Sequence, residues 1–289
     1  KFFEQLAPKG IAVQCSGGLD STILAAILKA LGIPFALIGL TSDRYEFRTE
    51  RRVQDAAGSM SASLDLIDYD LVLPMTGLNK VPSHALPSLS SLTYASELAM
   101  ADACRQANMG VMVSGSGGDV ILADKPPSKP TDWPTHIFQD WWSRHYVYRP
   151  AGVEIVYPFA DPAIVSVFWR LRAGSAGDPK KRWARQFFRD HLPRLLSTHT
   201  YKSDYWGVHT SGLLANLEDI ESMHEYAYQL CRLDFFKIEE LKSLLKLDLH
   251  SMNQALHLQI EARMALAVWV HSVMEGITRQ PYGALSPLR

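Results

Sequence analysis

The sequence has few cysteines, almost no net charge and no long hydrophobic run, and each absence excludes a class of protein. Its three cysteines are widely spaced among 289 residues and form no C-x-x-C pair, a pattern typical of reduced cytosolic thiols rather than a disulfide framework or a zinc site. A formal net charge of -1 argues against a general nucleic-acid-binding protein, which needs an excess of Lys and Arg. No apolar run reaches the ~18 to 20 residues of a membrane helix. We therefore expect a cytoplasmic globular protein that binds neither nucleic acid nor membrane.

Short apolar runs alternate with helical patterns in the first third of the chain. GIAVQC, PFALIGL, SLDLIDYD and GVMVSG are predicted as buried strands, with helices between them. The first helix is expected in DSTILAAILKALG, capped by Asp20 or Ser21 and ended by Gly32. This order predicts an α/β fold, a doubly wound and mainly parallel sheet that holds ligands where the strands' carboxyl ends meet the helices.

Helical patterns dominate from about Asp161 onward, which predicts a helical C-terminal layer. Between the two halves lies a segment rich in Pro and aromatic residues, 122–152. Its composition suits either an ordered loop over a site or a packed connector.

A glycine-rich segment, S-G-G-L-D-S at residues 16–21, follows the first predicted strand and opens the first helix. Backbone N–H groups and the helix dipole at such a turn attract a phosphate anion. The segment lacks the lysine and the spacing of the G-x-x-x-x-G-K-[ST] loop. It carries Asp20 instead, and a carboxylate suits a polyphosphate chiefly when Mg²⁺ lies between them. Taken alone, the segment also fits a tight strand-to-helix turn with an N-cap aspartate.

A second glycine-rich segment, V-S-G-S-G-G-D at residues 113–119, repeats this arrangement at the end of another predicted strand. It places Asp119 beside a second pair of glycines, Gly117 and Gly118. Two such loops at neighbouring strand ends, each carrying an aspartate, can hold one Mg²⁺-polyphosphate between them.

The two motifs together resemble a known family. S-G-G-L-D-S resembles the PP-loop of the N-type ATP pyrophosphatases, and its pairing with S-G-x-G-G-D is similar to the synthetase domain of the asparagine synthetase superfamily. The similarity continues through YPFADPAIV, KKRWARQFFRDHLP and THTYKSDYWG, over most of the chain. It implies an enzyme that uses ATP and Mg²⁺ to adenylate a carboxylate and passes the acyl group to an amine, releasing AMP and pyrophosphate.

The resemblance also implies a division of the chain and a set of site residues. Residues 1–125 would be the nucleotide-binding α/β part and residues 126–289 a mostly helical, substrate-covering part, with an N-terminal amidotransferase-like domain absent from this chain. The nucleotide-binding positions would be Ser16, Gly17, Gly18, Leu19, Asp20, Ser21, Leu40 (with Thr41 beside it, bordering the adenine), Gly115, Gly117 and Gly118.

The resemblance also implies roles for four charged residues. Asp20 and Asp119 match the Mg²⁺-coordinating carboxylates. Lys181, spaced K-x-x-x-R with Arg185, matches a lysine that faces the ATP phosphates. Lys202 matches a lysine near the reacting centre, where a cation stabilises the acyl-adenylate and the tetrahedral intermediate. For both lysines the alternative is an ordinary solvated surface position.

Residue 116 bears on which amine attacks the adenylate. In asparagine synthetases the x of S-G-x-G resembles a glutamate suited to deprotonating ammonia, and in β-lactam synthetases a tyrosine, whereas here it is Ser116. A hydroxyl with no adjacent base accepts a proton poorly, and a peptide α-amine, with a pKa of ~8, is neutral more often at pH 7 than ammonia is. The position therefore favours a peptide amine. Candidate bases for it are Glu154, His145 and His209, each of which also fits a structural role.

Further similarity points to one branch of the superfamily. GGDVILADKPPSKP, KKRWARQFF and the helical C-terminal segment resemble the lasso peptide cyclases. These are macrolactam synthetases that act on a precursor peptide, with a leader-binding protein and a leader peptidase as candidate partners. The aromatic residues of 122–152 suit a cavity around a peptide, or a plain hydrophobic core; they include Trp133, Trp141, Trp142, Tyr146 and Tyr148. Asparagine synthetase and β-lactam synthetase are the alternatives, and a non-catalytic ATP-binding module is the distant one.

Overall fold

The fold is built on one parallel β-sheet. The computed structural model describes residues 1–42, 49–83, 86–122, 135–172, 181–198, 206–231 and 254–279. Within them the strands are β1 (Ile11–Gln14), β2 (Phe35–Thr41), β3 (Ser63–Asp68), β4 (Val111–Val113) and β5 (Glu154–Val156), in the order β3-β2-β1-β4-β5. Each neighbouring pair is parallel. The predicted doubly wound α/β fold is confirmed.

The strand order fixes where a ligand can bind. The chain builds outward from β1 to β3 and then returns to the other side of β1 with β4. The crevice at such a switch point, outside the carboxyl ends of β1 and β4, is the usual ligand site of an open parallel sheet. Both glycine-rich loops leave the sheet at this place.

Helices cover the sheet and form the C-terminal layer. Before β4 they are α1 (Phe2–Leu6), α2 (Leu19–Ala30), α3 (Thr49–Met60) and α4 (Tyr94–Gln106). After β4 they are α5 (Gly118–Ile121), α6 (Thr135–Tyr148), α7 (Pro162–Arg172), α8 (Arg182–Phe187), α9 (Arg194–Thr198), α10 (Trp206–Ala215), α11 (Leu217–Cys231) and α12 (Gln254–Arg279). None of these described helices is both long and apolar enough to cross a membrane.

Two main apolar clusters hold these layers together. The larger one surrounds β1 and β4, whose apolar side chains are fully buried because helices cover both faces of the sheet. Cys15 and Cys104 lie in it as buried free thiols, and burial raises the pKa of both. The second cluster joins the chain after β3, with Met75 and Leu92, to α11 and α12 through Met223 and Met264. The C-terminal helices thus rest on the segment that leaves the carboxyl end of β3.

The start of α2 differs from the expectation. The helix begins at Leu19 with Gly18 as its N-cap, so Asp20 and Ser21 belong to the first turn rather than to the cap. Gly17, with φ at 66°, lets the chain turn from strand to helix within a very short span because glycine has no Cβ to oppose that conformation. The helix ends as expected, with Gly32 in the left-handed region at φ 67°.

The aromatic segment and the strand after it were not anticipated. The described part of 122–152 contains the helix α6 rather than a loop, and β5 joins the sheet beyond residue 125. The aromatic residues of α6 have only middling helix propensity, and a strand as short as β5 gives little periodic signal. The division of the chain at residue 125 stays a prediction, although the sheet itself extends past it.

Candidate functional site

The first glycine loop, residues 16–21, is held by its own side chains. The Gly18 N–H donates to Ser16 Oγ at 3.3 Å. The Ser21 and Thr22 hydroxyls both donate to the Gly18 carbonyl, at 3.3 and 2.7 Å. The first N–H groups of a helix have no intrahelical partner, so the start of α2 at this short turn has the arrangement that binds phosphate groups.

The second glycine loop, residues 114–119, is held by residues from elsewhere in the chain. Ser114 Oγ donates to Gln14 Oε1 at 2.8 Å and accepts the Ser116 N–H at 3.3 Å. Trp141 Nε1–H, on α6, donates to Ser116 Oγ at 2.9 Å. Gly117, with φ at 88°, provides the left-handed turn before α5. Ser116 is thus fixed from two sides.

The two loops touch each other through glycines. A Cβ on Gly115 would come within 3.0 Å of the Ser21 nitrogen. A Cβ on Gly118 would come within 2.6 Å of both Cβ and Cγ of Asp20. This is the physical reason for the glycines of S-G-x-G-G-D: the second loop packs directly on the first, with no room for a side chain at either contact.

Asp20, Asp119 and Lys181 meet where the loops face each other. Lys181 Nζ donates to both carboxylate oxygens of Asp20, at 2.6 and 2.8 Å, and to Asp119 Oδ1 at 2.8 Å. The side chains of Lys181 and Asp20 are about four-fifths buried, whereas that of Asp119 is 68% exposed. The resemblance had assigned all three to one site, and the structure brings them together around a single point of positive charge.

The other predicted site residues lie in different surroundings. Leu40 lies at the end of β2 and packs partly buried against Tyr69 and Val208. Beside it, the buried Thr41 Oγ1 has no hydrogen-bond partner within the described residues. Leu19 is 6% exposed and its side chain belongs to the core, so only its backbone can face a phosphate. Lys202 lies outside the described residues, and its role stays a prediction.

The structure does not place Glu154 with the glycine loops, so its assignment as a catalytic base is corrected. Glu154 stands at the amino end of β5, where its N–H donates to the Gly110 carbonyl. Its carboxylate pairs with Lys9 at 2.7 Å, and both side chains are about half exposed. The loops leave the opposite, carboxyl ends of the strands. A strand as short as E-I-V has little periodic signal, so this position of Glu154 could not be predicted from the sequence.

The two histidine candidates also lie in different surroundings. His145 on α6 packs edge-on against the ring of Tyr157; burial lowers its pKa, and the Glu154 carboxylate opposes that shift. His209 on α10 pairs through Nδ1 with Glu261 on α12. The Glu261 side chain is buried, so this pair fixes the histidine within the C-terminal helical layer.

The aromatic residues of 122–152 do not form the expected cavity wall as a group. Trp141 is buried and stacks on Tyr157, with ring centroids 5.3 Å apart. Tyr148 is fully buried and donates to Glu97 Oε2 at 3.0 Å. Trp142 is 57% exposed, and Trp133 lies outside the described residues. For Trp141 and Tyr148 the core alternative is the correct one.

Sequence reasoning missed Glu97 and Arg144, which form a buried ion pair near the second loop. Glu97 Oε1 and Arg144 Nη2 are 3.1 Å apart. Each residue belongs to a helix that carries many polar positions, so no local pattern distinguishes it from a solvated residue. A charged residue among the aromatic side chains of α6 was the one available signal.

A comparison with protein families agrees with this geometry. Residues 9–149 match the family model described as Asparagine synthase, and no curated protein matches the chain. The matched range contains both glycine loops, Asp20 and Asp119, and ends at α6. Proteins of this family are ATP-dependent synthetases that form amide bonds. This match supports a synthetase domain of the asparagine synthetase superfamily within residues 9–149.

Proposed function

We propose that the protein adenylates a side-chain carboxylate of a precursor peptide and closes a macrolactam with that peptide's N-terminal amine. AMP and pyrophosphate leave in the course of this reaction, as in lasso peptide biosynthesis. The observation that carries the ATP-dependent half of the proposal is the convergence of Asp20, Asp119 and Lys181 between the two glycine loops. The peptide half is carried by Ser116 and its surroundings.

The site fits a Mg²⁺ ion shared with phosphate groups. Oxygens of Asp20 and Asp119 lie at 2.6 and 2.8 Å from one nitrogen atom, Lys181 Nζ, so both carboxylates can face a single cation. Mg²⁺ in nucleotide sites is bound by one or two carboxylates together with substrate phosphates. Asp20 and Asp119 would hold the ion, which when bound supplies positive charge beside the pyrophosphate leaving group.

The protein's own groups complete the phosphate site. The N–H groups at the start of α2 and the positive end of its dipole would orient the β and γ phosphates. Lys181 would add a charge-assisted hydrogen bond to them once its carboxylate partners engage the metal. Arg185 follows one turn later on α8; burial lowers its pKa, while Asp20 opposes the shift. Cleavage of ATP between the α and β phosphates would then release the group held at this site as pyrophosphate.

Ser116 supports a peptide amine as the nucleophile. Its Oγ already accepts the Trp141 N–H at 2.9 Å, so one of its lone pairs is engaged and the hydroxyl is better suited to donate than to take a proton. A nucleophile with a larger neutral fraction at pH 7 needs less help from a base. The N-terminal amine of a peptide, with a pKa of ~8, meets this condition better than ammonia does.

The test is ATP–pyrophosphate exchange with a candidate linear precursor, most directly a short peptide encoded beside the gene for this chain. Exchange is expected with a peptide that carries the Asp or Glu acyl donor. A matched peptide with Asn or Gln at that position should give none. Mass spectrometry should show loss of water from the first peptide in the presence of ATP and Mg²⁺.

Other outcomes separate the remaining functions. Formation of asparagine from aspartate and ammonia, with no peptide activation, would overturn the proposal in favour of asparagine synthetase. Binding of ATP without exchange for any carboxylate would indicate a non-catalytic module. Lys202→Ala is expected to abolish ring formation while ATP still binds, since its proposed role lies at the acyl centre rather than at the nucleotide.

A further inference from the structure

A buried ion pair joins the two helices that flank the second glycine loop. Glu97 on α4 is 3% exposed and Arg144 on α6 is 19% exposed, with 3.1 Å between Oε1 and Nη2. Burial lowers the pKa of Arg144, but Glu97, with smaller contributions from Tyr157 and Tyr148, raises it by more, so the guanidinium stays charged. Removing one partner of such a pair leaves the other charge buried without compensation. The pair therefore fixes the position of the Arg144 guanidinium in the core.

In this position the guanidinium lies close to the carboxyl ends of β1 and β4. Arg144 Nη1 lies 3.5 Å from Gln14 Oε1 and 3.5 Å from Ser114 Oγ. Gln14 is the last residue of β1, and Ser114 directly follows β4. Since Ser114 Oγ also donates to Gln14 Oε1 at 2.8 Å, the side chains of α6, β1 and β4 form one connected polar group where the glycine loops begin.

The same helix also holds the middle of the second loop. Trp141, one turn before Arg144, donates to Ser116 Oγ, while the Ser116 N–H donates to the Ser114 hydroxyl that Arg144 approaches. The loop in turn contacts Asp20 through Gly118 with no spare room. A displacement of the loop therefore moves Ser116 and disturbs the Asp20 carboxylate together.

We propose that Arg144, held by Glu97, is a positioning residue for the reaction. It sets the second glycine loop against the first, and so aligns Ser116 and Asp119 with Asp20 and the phosphate site, without itself touching the substrate. Its kinetic consequences depend on the proposed synthetase function, whereas its effect on the loop does not. Small misplacements of catalytic groups cost ~10²-fold in rate, so an effect of this size is expected from a change remote from the chemistry.

The test separates positioning from simple stability. Arg144→Met leaves the Glu97 charge without its ion-pair partner, so the informative variant is Glu97→Gln with Arg144→Met, which removes both buried charges at similar volume and keeps an acceptor for the Tyr148 hydroxyl. Arg105→Met is the matched control, because Arg105 lies exposed on α4 in a pair with Asp102. Arg144→Lys keeps the charge beside Glu97 but loses the planar set of donors.

Two readouts are needed, one of them independent of activity. In the nucleotide-free protein, amide hydrogen exchange of residues 114–119 should speed up by at least ~10-fold in the double variant, while exchange in α3 and the melting temperature match the control. In the ATP–pyrophosphate assay, kcat should fall by ~10²-fold with little change in the KM for ATP. Arg144→Lys should keep part of the wild-type protection of residues 114–119 and part of the wild-type kcat.

The other possible outcomes also test whether Arg144 positions the second glycine loop. Wild-type loop protection and kcat in the double variant would overturn the proposal and leave the pair a stability element. If the Met variants do not fold, Arg144→Lys decides on the same two readouts, and unchanged loop exchange there overturns the proposal. If wild-type protein shows no ATP–pyrophosphate exchange at all, the proposed function fails, while the hydrogen-exchange readout still tests the positioning of the loop.

Discussion

The two glycine loops lie side by side at the carboxyl ends of neighbouring strands, yet they are stabilised in opposite ways. In the loop at residues 16–21, Ser16, Gly18 and Ser21 form hydrogen bonds with one another, while Asp20 bonds to Lys181 outside the loop. The loop at residues 114–119 depends on β1 and on α6, which contribute Gln14, Trp141 and, more distantly, Arg144. The first is a local turn, and the second is a product of the tertiary fold.

This difference has a functional side. A self-contained turn presents the same N–H groups whatever packs behind it, which suits a phosphate site that stays constant among reactions. A loop held by distant helices changes its geometry when those helices change, which suits the side of the site that faces the variable nucleophile. Ser116, the residue on which the proposed choice of a peptide amine rests, lies in the second kind of loop.

The largest expected effect comes from a single methyl group at the contact between the loops. Gly118→Ala would place Cβ within 2.6 Å of Asp20 Cβ and Cγ, so the carboxylate must move, and kcat for ATP–pyrophosphate exchange should fall by ~10²-fold or more. Gly18→Ala meets only the Ser16 hydroxyl, at 3.1 Å, and should cost much less. Equal losses for the two alanines would contradict the asymmetry between the loops.

A second large effect is expected at the lysine that both loops share. Lys181→Met removes the ammonium between Asp20 and Asp119 and one cationic contact to the phosphates, so the KM for ATP should rise by ~10-fold, the equivalent of about 1.4 kcal/mol. Lys9→Met serves as the control because it removes an exposed lysine of the same charge. An unchanged KM would place Lys181 outside the nucleotide site.

Whether a part of this site could be predicted from the sequence depends on whether neighbouring or distant residues determine it. The strands β1 to β4 and the first loop were predictable because each signal is local: an apolar run, a glycine pair, a helix pattern beginning at once. Asp20, Asp119 and Lys181 came from motif resemblance, and the structure brings them together. Glu97 and Arg144 were not predictable because their pairing depends on how α4 and α6 pack, which no spacing along the chain encodes.

The errors have a related cause. Aromatic side chains such as Trp141 and Tyr148 suit a ligand cavity and a core equally well, and only burial decides between them. Glu154 was predicted as a candidate base, but it lies on β5, a strand too short to be evident from its sequence pattern. Knowing that E-I-V pairs in parallel with β4 puts its first residue at the amino end of the sheet.

A smaller effect should distinguish the loops by stability alone. Ser114 is 1% exposed, and Ser114→Ala removes the hydroxyl that donates to Gln14 Oε1 and accepts the Ser116 N–H, so the free energy of unfolding should fall by about 1–3 kcal/mol. Ser16→Ala removes two long bonds within the first loop, to the Gly18 N–H and the Ser21 hydroxyl, and should cost about 0.5–1.5 kcal/mol. Denaturant unfolding without nucleotide measures both. A larger loss at Ser16 would mean that the first loop depends on its surroundings after all.

The smallest effect is expected at an exposed ion pair at the amino end of the sheet, opposite the loops. Lys9 and Glu154 are 54% and 47% exposed, so solvent screens their attraction and Glu154→Gln should change the free energy of unfolding by less than about 1 kcal/mol. Exchange and ring formation should continue at the wild-type rate, with Lys9→Gln as the matched control. A general base at this position would instead lose ~10²- to 10⁴-fold in rate on the same substitution. The two expectations differ so widely that one kinetic comparison decides whether the amino end of β5 takes any part in the chemistry.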